Sequence, residues 1–140
     1  MGKFIVNIIL TVVVGTALGA IVWQQSIPAS AAMRTTGLIL LVIGFVFWSI
    51  ARFQLGASLT VTAQARQLVS RGLYSKIRNP VYVFGSAVIA GLILALGRPI
   101  WLLIFVVIVP MQIWRARKEA SVLEATFGDQ YRTYRQSTWF

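Results

Sequence analysis

The chain has 140 residues, of which 58% are hydrophobic and 11% charged, and its mean hydropathy of +0.79 is too high for a soluble domain of this size. It contains no cysteine and no histidine, which excludes thiol nucleophiles, disulfides, the usual zinc sites and an imidazole base. The net charge of +10 comes from basic residues that flank apolar segments, so it indicates anionic lipid headgroups as the partner and not nucleic acid.

Four apolar segments follow one another along the chain, and none contains an acidic residue. They are Phe4 to Trp23, Gly37 to Ile50, Val81 to Leu96 and Ile100 to Trp114. Each can cross a bilayer core of about 30 Å, the second and fourth with help from flanking residues. The sequence therefore predicts one all-α domain, a polytopic membrane protein with four transmembrane helices.

Basic residues are divided unequally between the two sides that four crossings define. Eleven lie with the N-terminus, the 51–79 loop and the C-terminal tail, whereas only Arg34 and Arg98 lie on the other side. The positive-inside rule therefore predicts cytoplasmic N- and C-termini, and we expect a bacterial inner membrane. The first segment also matches a signal peptide, with Lys3 before it and the small-residue tract Ala29-Ser30-Ala31 after it, but its length favours a retained helix.

The third and fourth segments are separated only by Gly97-Arg98-Pro99. So short a connection predicts a tight antiparallel hairpin with its turn on the non-cytoplasmic side. Small side chains let helices approach closely, and we expect the small residues of the third helix to pack against the fourth. These residues are Gly85, Ala87, Ala90 and Gly91.

The run Arg78-Asn79-Pro80-Val81-Tyr82 joins a basic loop to the third apolar helix. Asn caps free amide groups and Pro suits the first helical turn, so the run predicts a helix start at the membrane surface. In that reading Arg78 reaches lipid phosphate and Tyr82 belongs to the aromatic belt. The same junction also offers backbone donors and a fixed positive charge to an anionic ligand.

The segment from Arg115 to Gly128 is predicted to form a cytoplasmic amphipathic helix. A carboxylate, Glu119, lies on its apolar stripe, whereas Glu124 points toward the polar side. A carboxylate on a buried stripe needs a partner, either a cationic ligand or an arginine such as Arg78 or Arg115. The stripe consists of residues at steps of three or four: Ala116, Glu119, Leu123 and Phe127.

Two tyrosines continue this stripe beyond Gly128, which is expected to end the helix. They are Tyr131 and Tyr134. We expect them to lay the tail back against the membrane-facing core, and interfacial packing is sufficient to explain both.

Three spaced motifs lie between Leu68 and Tyr134. Residues 68–74 read Leu-Val-Ser-Arg-Gly-Leu-Tyr, and residues 78–85 read Arg-Asn-Pro-Val-Tyr-Val-Phe-Gly. The tail motif consists of Glu119, Leu123, Phe127-Gly128, Tyr131 and Tyr134. In this order the motifs resemble the isoprenylcysteine carboxyl methyltransferase and phospholipid methyltransferase superfamily of integral membrane enzymes, with its Leu-Val-x-x-Gly-x-Tyr, Arg-(His/Asn)-Pro-x-Tyr-x-x-Gly and Glu-Glu-x-x-Leu-x-x-x-Phe-Gly-x-x-Tyr-x-x-Tyr.

The resemblance implies an S-adenosylmethionine-dependent methyltransferase whose cofactor binds at the cytoplasmic face. It names no catalytic residue and no metal site. A lipophilic small molecule or a lipidated acceptor entering from the bilayer is the expected substrate, as in isoprenylcysteine carboxyl methyltransferases. By position the cofactor-binding candidates are Arg78, Asn79, Tyr82 and Glu119, followed by Tyr74, Gly85 and Tyr131.

Two departures from the family pattern leave alternatives open. Asn79 stands where carboxyl methyltransferases typically have histidine, and Ala120 stands where a second glutamate is usual. An amine acceptor must lose a proton, and a Glu119 that binds cofactor leaves no evident base, which favours an anionic acceptor. Phospholipid amine N-methylation and a non-catalytic membrane protein with the family fold stay open. A transporter is disfavoured because no span carries an acid.

Overall fold

The computed structural model describes residues 2–24, 30–56 and 68–139, and these residues confirm the predicted all-α fold class. Part of the Ala29-Ser30-Ala31 tract lies outside the described residues. Two short 3-10 helices occur at Gly72–Ser75 and Pro99–Ile104. The α-helices are α1 (Gly2–Gln24), α2 (Ala31–Leu55), α3 (Pro80–Ala95), α4 (Phe105–Phe127) and α5 (Asp129–Ser137).

Two helical segments are long and apolar enough to cross a membrane, Ala31–Leu55 and Pro99–Phe127. Shorter apolar helices cover Asn7–Trp23 and Pro80–Ala95, so crossing by all four helices stays a prediction. The second span is longer than predicted because the helix begins earlier, where the Ser30 hydroxyl accepts a hydrogen bond from the Met33 amide (3.2 Å).

The closest helix packing joins α2 to α3, and glycines make it possible. A Cβ atom added to Gly37 would lie 2.3 Å from the Ala95 nitrogen, and one added to Gly91 would lie 2.4 Å from the Leu41 nitrogen. Gly44 makes a similar approach to the backbone at Val88, so the two helices run antiparallel. Such contact between backbones stabilises helix pairs in membranes through van der Waals packing.

This packing corrects the prediction that the small residues of the third helix face the fourth. Close approach needs small residues on both partners, and α2 supplies Gly37 and Gly44, whereas residues 105–114 of α4 contain neither glycine nor alanine. Polar side chains join α3 to α4 instead, among them Ser86, whose hydroxyl donates to the Gln112 side-chain oxygen (3.1 Å). The structure therefore does not confirm a tight hairpin.

The connection from α3 to α4 turns at Gly97, which has a φ of +66°. The Arg98 amide donates to the Ile93 carbonyl (3.1 Å), as expected when a left-handed residue ends a helix. After the 3-10 helix, α4 continues without interruption to Phe127. The predicted cytoplasmic amphipathic helix is thus not a separate element but the second half of α4, because no helix-breaking residue lies between Trp114 and Gly128.

Gly128 ends α4 as predicted, with a φ of +52°, and α5 folds back onto the body of the protein. Tyr131 is 2% exposed and Tyr134 8% exposed, which confirms the predicted return of the tail. Beyond α5 the backbone of Trp139 pairs with the loop before α3. Its amide donates to the Lys76 carbonyl (2.9 Å), and its carbonyl accepts from the Arg78 amide (3.3 Å).

Candidate active site

The loop that carries several candidate residues is held between α2 and α5. The Leu73 amide donates to the Gln54 side-chain oxygen at the end of α2 (2.8 Å). The Tyr134 hydroxyl of α5 donates to the Tyr74 carbonyl (2.7 Å). Gly72 has a φ of +62°, and a Cβ there would lie 2.3 Å from the Gln54 side chain, so only glycine suits this turn. These contacts fix the backbone of the loop on both sides of the Tyr74 α-carbon.

Tyr82 and Glu119 form the centre of the site. Pro80 is fully buried and begins α3, so Tyr82 lies in the first helical turn. Its hydroxyl donates to Glu119 Oε1 at 2.5 Å. Glu119 is half-buried on α4, as the predicted apolar stripe requires. A tyrosine hydroxyl thus bonds the carboxylate that the sequence predicted would need a partner.

Arginine does not form an ion pair with Glu119 in the part of the chain that the structure describes. Arg115 lies over the ring of Tyr82, with its Cζ atom 6.0 Å from the ring centroid. Since the hydrogen bond from Tyr82 leaves the negative charge of Glu119 unneutralised, this carboxylate can still attract a cationic ligand.

Tyr74 adds a buried phenol beside this carboxylate, with 5% of its surface exposed. Burial raises the pKa of Tyr74, and the neighbouring Tyr134 and Glu119 raise it further, whereas Arg52 opposes the rise. The phenol of Tyr74 is therefore neutral at physiological pH and available as a hydrogen-bond donor.

Arg78 and Asn79 present unused donors at the junction with α3. The Nε atom of Arg78 is buried without a hydrogen-bond partner among the described residues. Asn79 occupies the N-cap position, but its side chain makes no capping hydrogen bond, so the predicted side-chain cap is wrong. The Asn79 backbone carbonyl accepts from the amides of Tyr82 (3.1 Å) and Val83 (3.2 Å) instead. The side-chain amide of Asn79 therefore forms no hydrogen bond with the first turn of α3.

Gly85 and Tyr131 lie at packing positions around this cluster. A Cβ atom on Gly85 would lie 3.6 Å from Trp48 Cδ1, which places Gly85 against α2. The buried ring of Tyr131 lies 6.1 Å from the ring of Tyr134. The structure therefore brings Tyr74, Tyr82 and Glu119 together, whereas the contacts of Gly85 and Tyr131 are packing contacts with α2 and Tyr134.

Arg52, one of the eleven basic residues on the predicted cytoplasmic side, was not a predicted site residue, yet it lies close enough to act on Tyr74. Its guanidinium donates to Asn7 Oδ1 (3.3 Å) and lies 5.4 Å from the centroid of the Trp48 ring. Trp48 and Arg52 are four residues apart, so they occupy the same face of α2. The four-residue spacing of Trp48 and Arg52, at the predicted cytoplasmic end of the second span, is the sequence feature that could have indicated this position of Arg52.

Replacing Tyr134 by phenylalanine is expected to destabilise the fold by about 1 kcal/mol, because the buried Tyr74 carbonyl loses its donor. Burial raises the pKa of Tyr134 to about 12, with Tyr131 adding to the rise and Arg78 opposing it. Since an unfolded tyrosine titrates near pH 10, this stability is complete below about pH 10 and is lost as the pH rises toward 12. Chemical unfolding at pH 8 and above pH 10 measures both effects. Equal stability of the two proteins at pH 8 would contradict the prediction.

A family model described as phospholipid methyltransferase matches residues 32–130, which include nearly all of α2, the junction at Arg78, α3 and Glu119. No curated protein matches the chain.

Proposed function

The chain belongs to the phospholipid methyltransferase family, and from this premise we propose that it is an S-adenosylmethionine-dependent methyltransferase of the membrane. The observation that carries the proposal is the cluster of Tyr74, Tyr82 and Glu119, which lies within the family-matched part of the chain. The acceptor is a lipophilic or amphipathic molecule, as in isoprenylcysteine carboxyl methyltransferases.

The side chains at this cluster fit the charged groups of S-adenosylmethionine. The cofactor has an ammonium and a sulfonium, and Glu119 is the only carboxylate of the cluster. The cofactor also has a carboxylate, for which the buried, unpartnered Nε of Arg78 is a charged donor. The free amide of Asn79 can donate to the same group or to the adenosine.

S-adenosylmethionine supplies an activated methyl group, so the protein needs to align the reactants and exclude water from them. Tyr74 contributes a buried ring and Tyr82 a half-buried ring for that purpose, each with a hydroxyl group. The carboxylate of Glu119 would hold a positively charged group of the cofactor, its ammonium or its sulfonium, in place. No histidine or cysteine is required for such a displacement, in keeping with the composition.

We also propose the orientation of the protein. If α1 to α4 all cross the bilayer, the Tyr74 loop, the start of α3 and the second half of α4, which carry the cluster, lie on the side rich in basic residues. The positive-inside rule makes this the cytoplasmic side, where S-adenosylmethionine is available, of a bacterial inner membrane. Large apolar side chains remain exposed along α2 and α4, among them Val42, Val106 and Val107, which suits contact with lipid.

The first test is titration of S-adenosylhomocysteine into the purified protein in nanodiscs, followed by calorimetry and thermal unfolding. A ligand that binds only the folded state raises its apparent stability. We expect micromolar binding and a higher unfolding temperature. Absence of both in a folded sample would reject the methyltransferase assignment and leave a non-catalytic protein with the family fold.

The class of acceptor is tested with S-adenosylmethionine labelled in its methyl group and nanodiscs that contain either phosphatidylethanolamine or N-acetyl-S-farnesylcysteine. A methyl ester releases methanol in base, whereas an N-methyl group is stable. Base-labile product from the farnesylcysteine supports a carboxyl methyltransferase. Base-stable product from phosphatidylethanolamine supports the alternative, phospholipid amine N-methylation.

A further inference from the structure

The candidate site contains more positive than negative charge. Arg115 lies over the ring of Tyr82, and Arg52 is close enough to act on Tyr74. Arg78 acts on Tyr134, whose hydroxyl bonds the Tyr74 carbonyl. Glu119 is the one carboxylate near these three guanidinium groups, because Glu124 is half-exposed and forms a salt bridge with Arg132 at 2.9 Å. A surplus of two positive charges remains before any ligand binds, and S-adenosylmethionine itself carries a net positive charge.

Contacts on α2 direct Arg52 toward the site. The indole of Trp48 packs against Gly85, one turn along α3 from Tyr82. Arg52 lies over that indole and one turn farther toward the cytoplasmic end of α2. Because α2 and α3 are antiparallel, this direction leads from Gly85 toward Tyr82 and the loop that carries Tyr74.

Arg52 is also held in place without being neutralised. Asn7 accepts one of its hydrogen bonds, and a side-chain amide carries no charge. All three acidic residues of the chain lie in the described ranges, and none forms a salt bridge with Arg52. A half-buried arginine in this position retains donors for a planar or tetrahedral anion.

We propose that Arg52 binds the anionic group of the methyl acceptor and thereby selects amphipathic acceptors that carry a phosphate or a carboxylate. The inference rests on the proposed function, since it places the acceptor beside the cofactor. Arg52 lies at the cytoplasmic end of an apolar helix, so an acceptor held there has its chain in the bilayer and its headgroup at the site. Arg78 remains for the cofactor carboxylate.

The charge surplus also predicts that the acceptor and the cofactor bind cooperatively. An anion at Arg52 lowers the positive potential that opposes a cationic cofactor. Anionic acceptor and S-adenosylmethionine therefore increase each other's affinity, and by linkage the factor is the same in both directions. S-adenosylhomocysteine lacks the sulfonium charge, so its coupling to the anion is weaker.

The test uses nanodisc-embedded protein saturated with S-adenosylhomocysteine and three probes: dihexanoyl phosphatidic acid, dodecanoate and neutral dihexanoylglycerol. The measured quantity is the shift in unfolding temperature with probe concentration. Arg52→Gln is compared with Arg98→Gln, a matched control in which an arginine lies 5.6 Å from the Trp101 ring outside the site. Arg52→Lys tests whether charge alone is sufficient.

We expect at least one anionic probe to stabilise the wild type and Arg98→Gln, with an apparent affinity about tenfold or more weaker in Arg52→Gln. Preference between phosphatidic acid and dodecanoate identifies the anion as phosphate or carboxylate. An equal response of Arg52→Gln and wild type, or no response of a wild type that binds S-adenosylhomocysteine, would overturn this assignment alone. Failure of the wild type to bind S-adenosylhomocysteine would instead reject the proposed function together with it.

Discussion

Glu119→Ala is expected to weaken S-adenosylhomocysteine binding by on the order of a hundredfold, whereas Glu124→Ala leaves it nearly unchanged. Glu119 is half-buried, bonds the Tyr82 hydroxyl and supplies the negative charge of the cluster. Its removal would leave the ammonium of the ligand without a negative partner in the cluster, while Arg115 remains over the Tyr82 ring. Calorimetric titration of both variants in nanodiscs measures the difference.

Glu124 is a well-matched control for this experiment. It lies on the same helix, and its interaction with Arg132 is an exposed salt bridge of the kind that contributes from zero to about 1 kcal/mol. Glu119→Gln separates charge from hydrogen bonding, because the amide oxygen still accepts from Tyr82. Equal affinities of Glu119→Ala and Glu124→Ala would defeat the assignment of Glu119 to the cofactor.

Gly37→Ala is expected to destabilise the protein by about 1–3 kcal/mol, as small-to-large changes in tightly packed cores do. The added Cβ would lie 2.3 Å from the backbone nitrogen of Ala95 and 2.7 Å from the carbonyl carbon of Leu94. Backbone atoms cannot rotate away as a side chain does, so α2 and α3 must separate. Thermal unfolding in nanodiscs is the measurement, and loss of S-adenosylhomocysteine binding should accompany it because Trp48 and Gln54 lie on α2.

Gly19→Ala provides the control for this effect. Gly19 is also a helical glycine in an apolar helix, but a Cβ there would meet no atom within 4 Å. Alanine favours a helix over glycine by about 0.5–1 kcal/mol, so this variant should be as stable as the wild type or more so. Equal destabilisation by the two substitutions would show that the glycine contacts of α2 with α3 do not determine stability.

Local sequence signals predicted the start of α3 and the end of α4 correctly, but they predicted the helix partners poorly. Pro80 and Gly128 mark the start of α3 and the end of α4 because a proline ring and a positive φ act on their own backbone. The small residues of α3 identify a packing face but do not state which helix it meets. That choice depended on Gly37 and Gly44, more than 40 residues away, and on the lack of small residues in the opposing part of α4.

In the candidate site, too, local features were predicted from the sequence and contacts between distant residues were not. Periodicity placed Glu119 on the half-buried stripe of α4, and the tail tyrosines were correctly predicted to fold back. The partner of Glu119 was not predictable from spacing, since Arg78, Arg115 and a cationic ligand were all compatible with it. The structure selects the hydroxyl of Tyr82, which reaches from the first turn of α3 to Glu119 on α4.

The sequence by itself determined a helical membrane protein, the start of α3, the end of α4 and the family to which the chain belongs, because hydropathy, turn residues and motif spacing are properties of neighbouring positions. Only the tertiary structure decided that α3 packs on α2, that the Asn79 side chain leaves the helix uncapped and that Arg52 lies near Tyr74. Helix packing depends on contact between backbones that are distant in the sequence, and the position of Arg52 matters through charges that interact across a partly buried region. Neither can be predicted from the spacing of neighbouring residues.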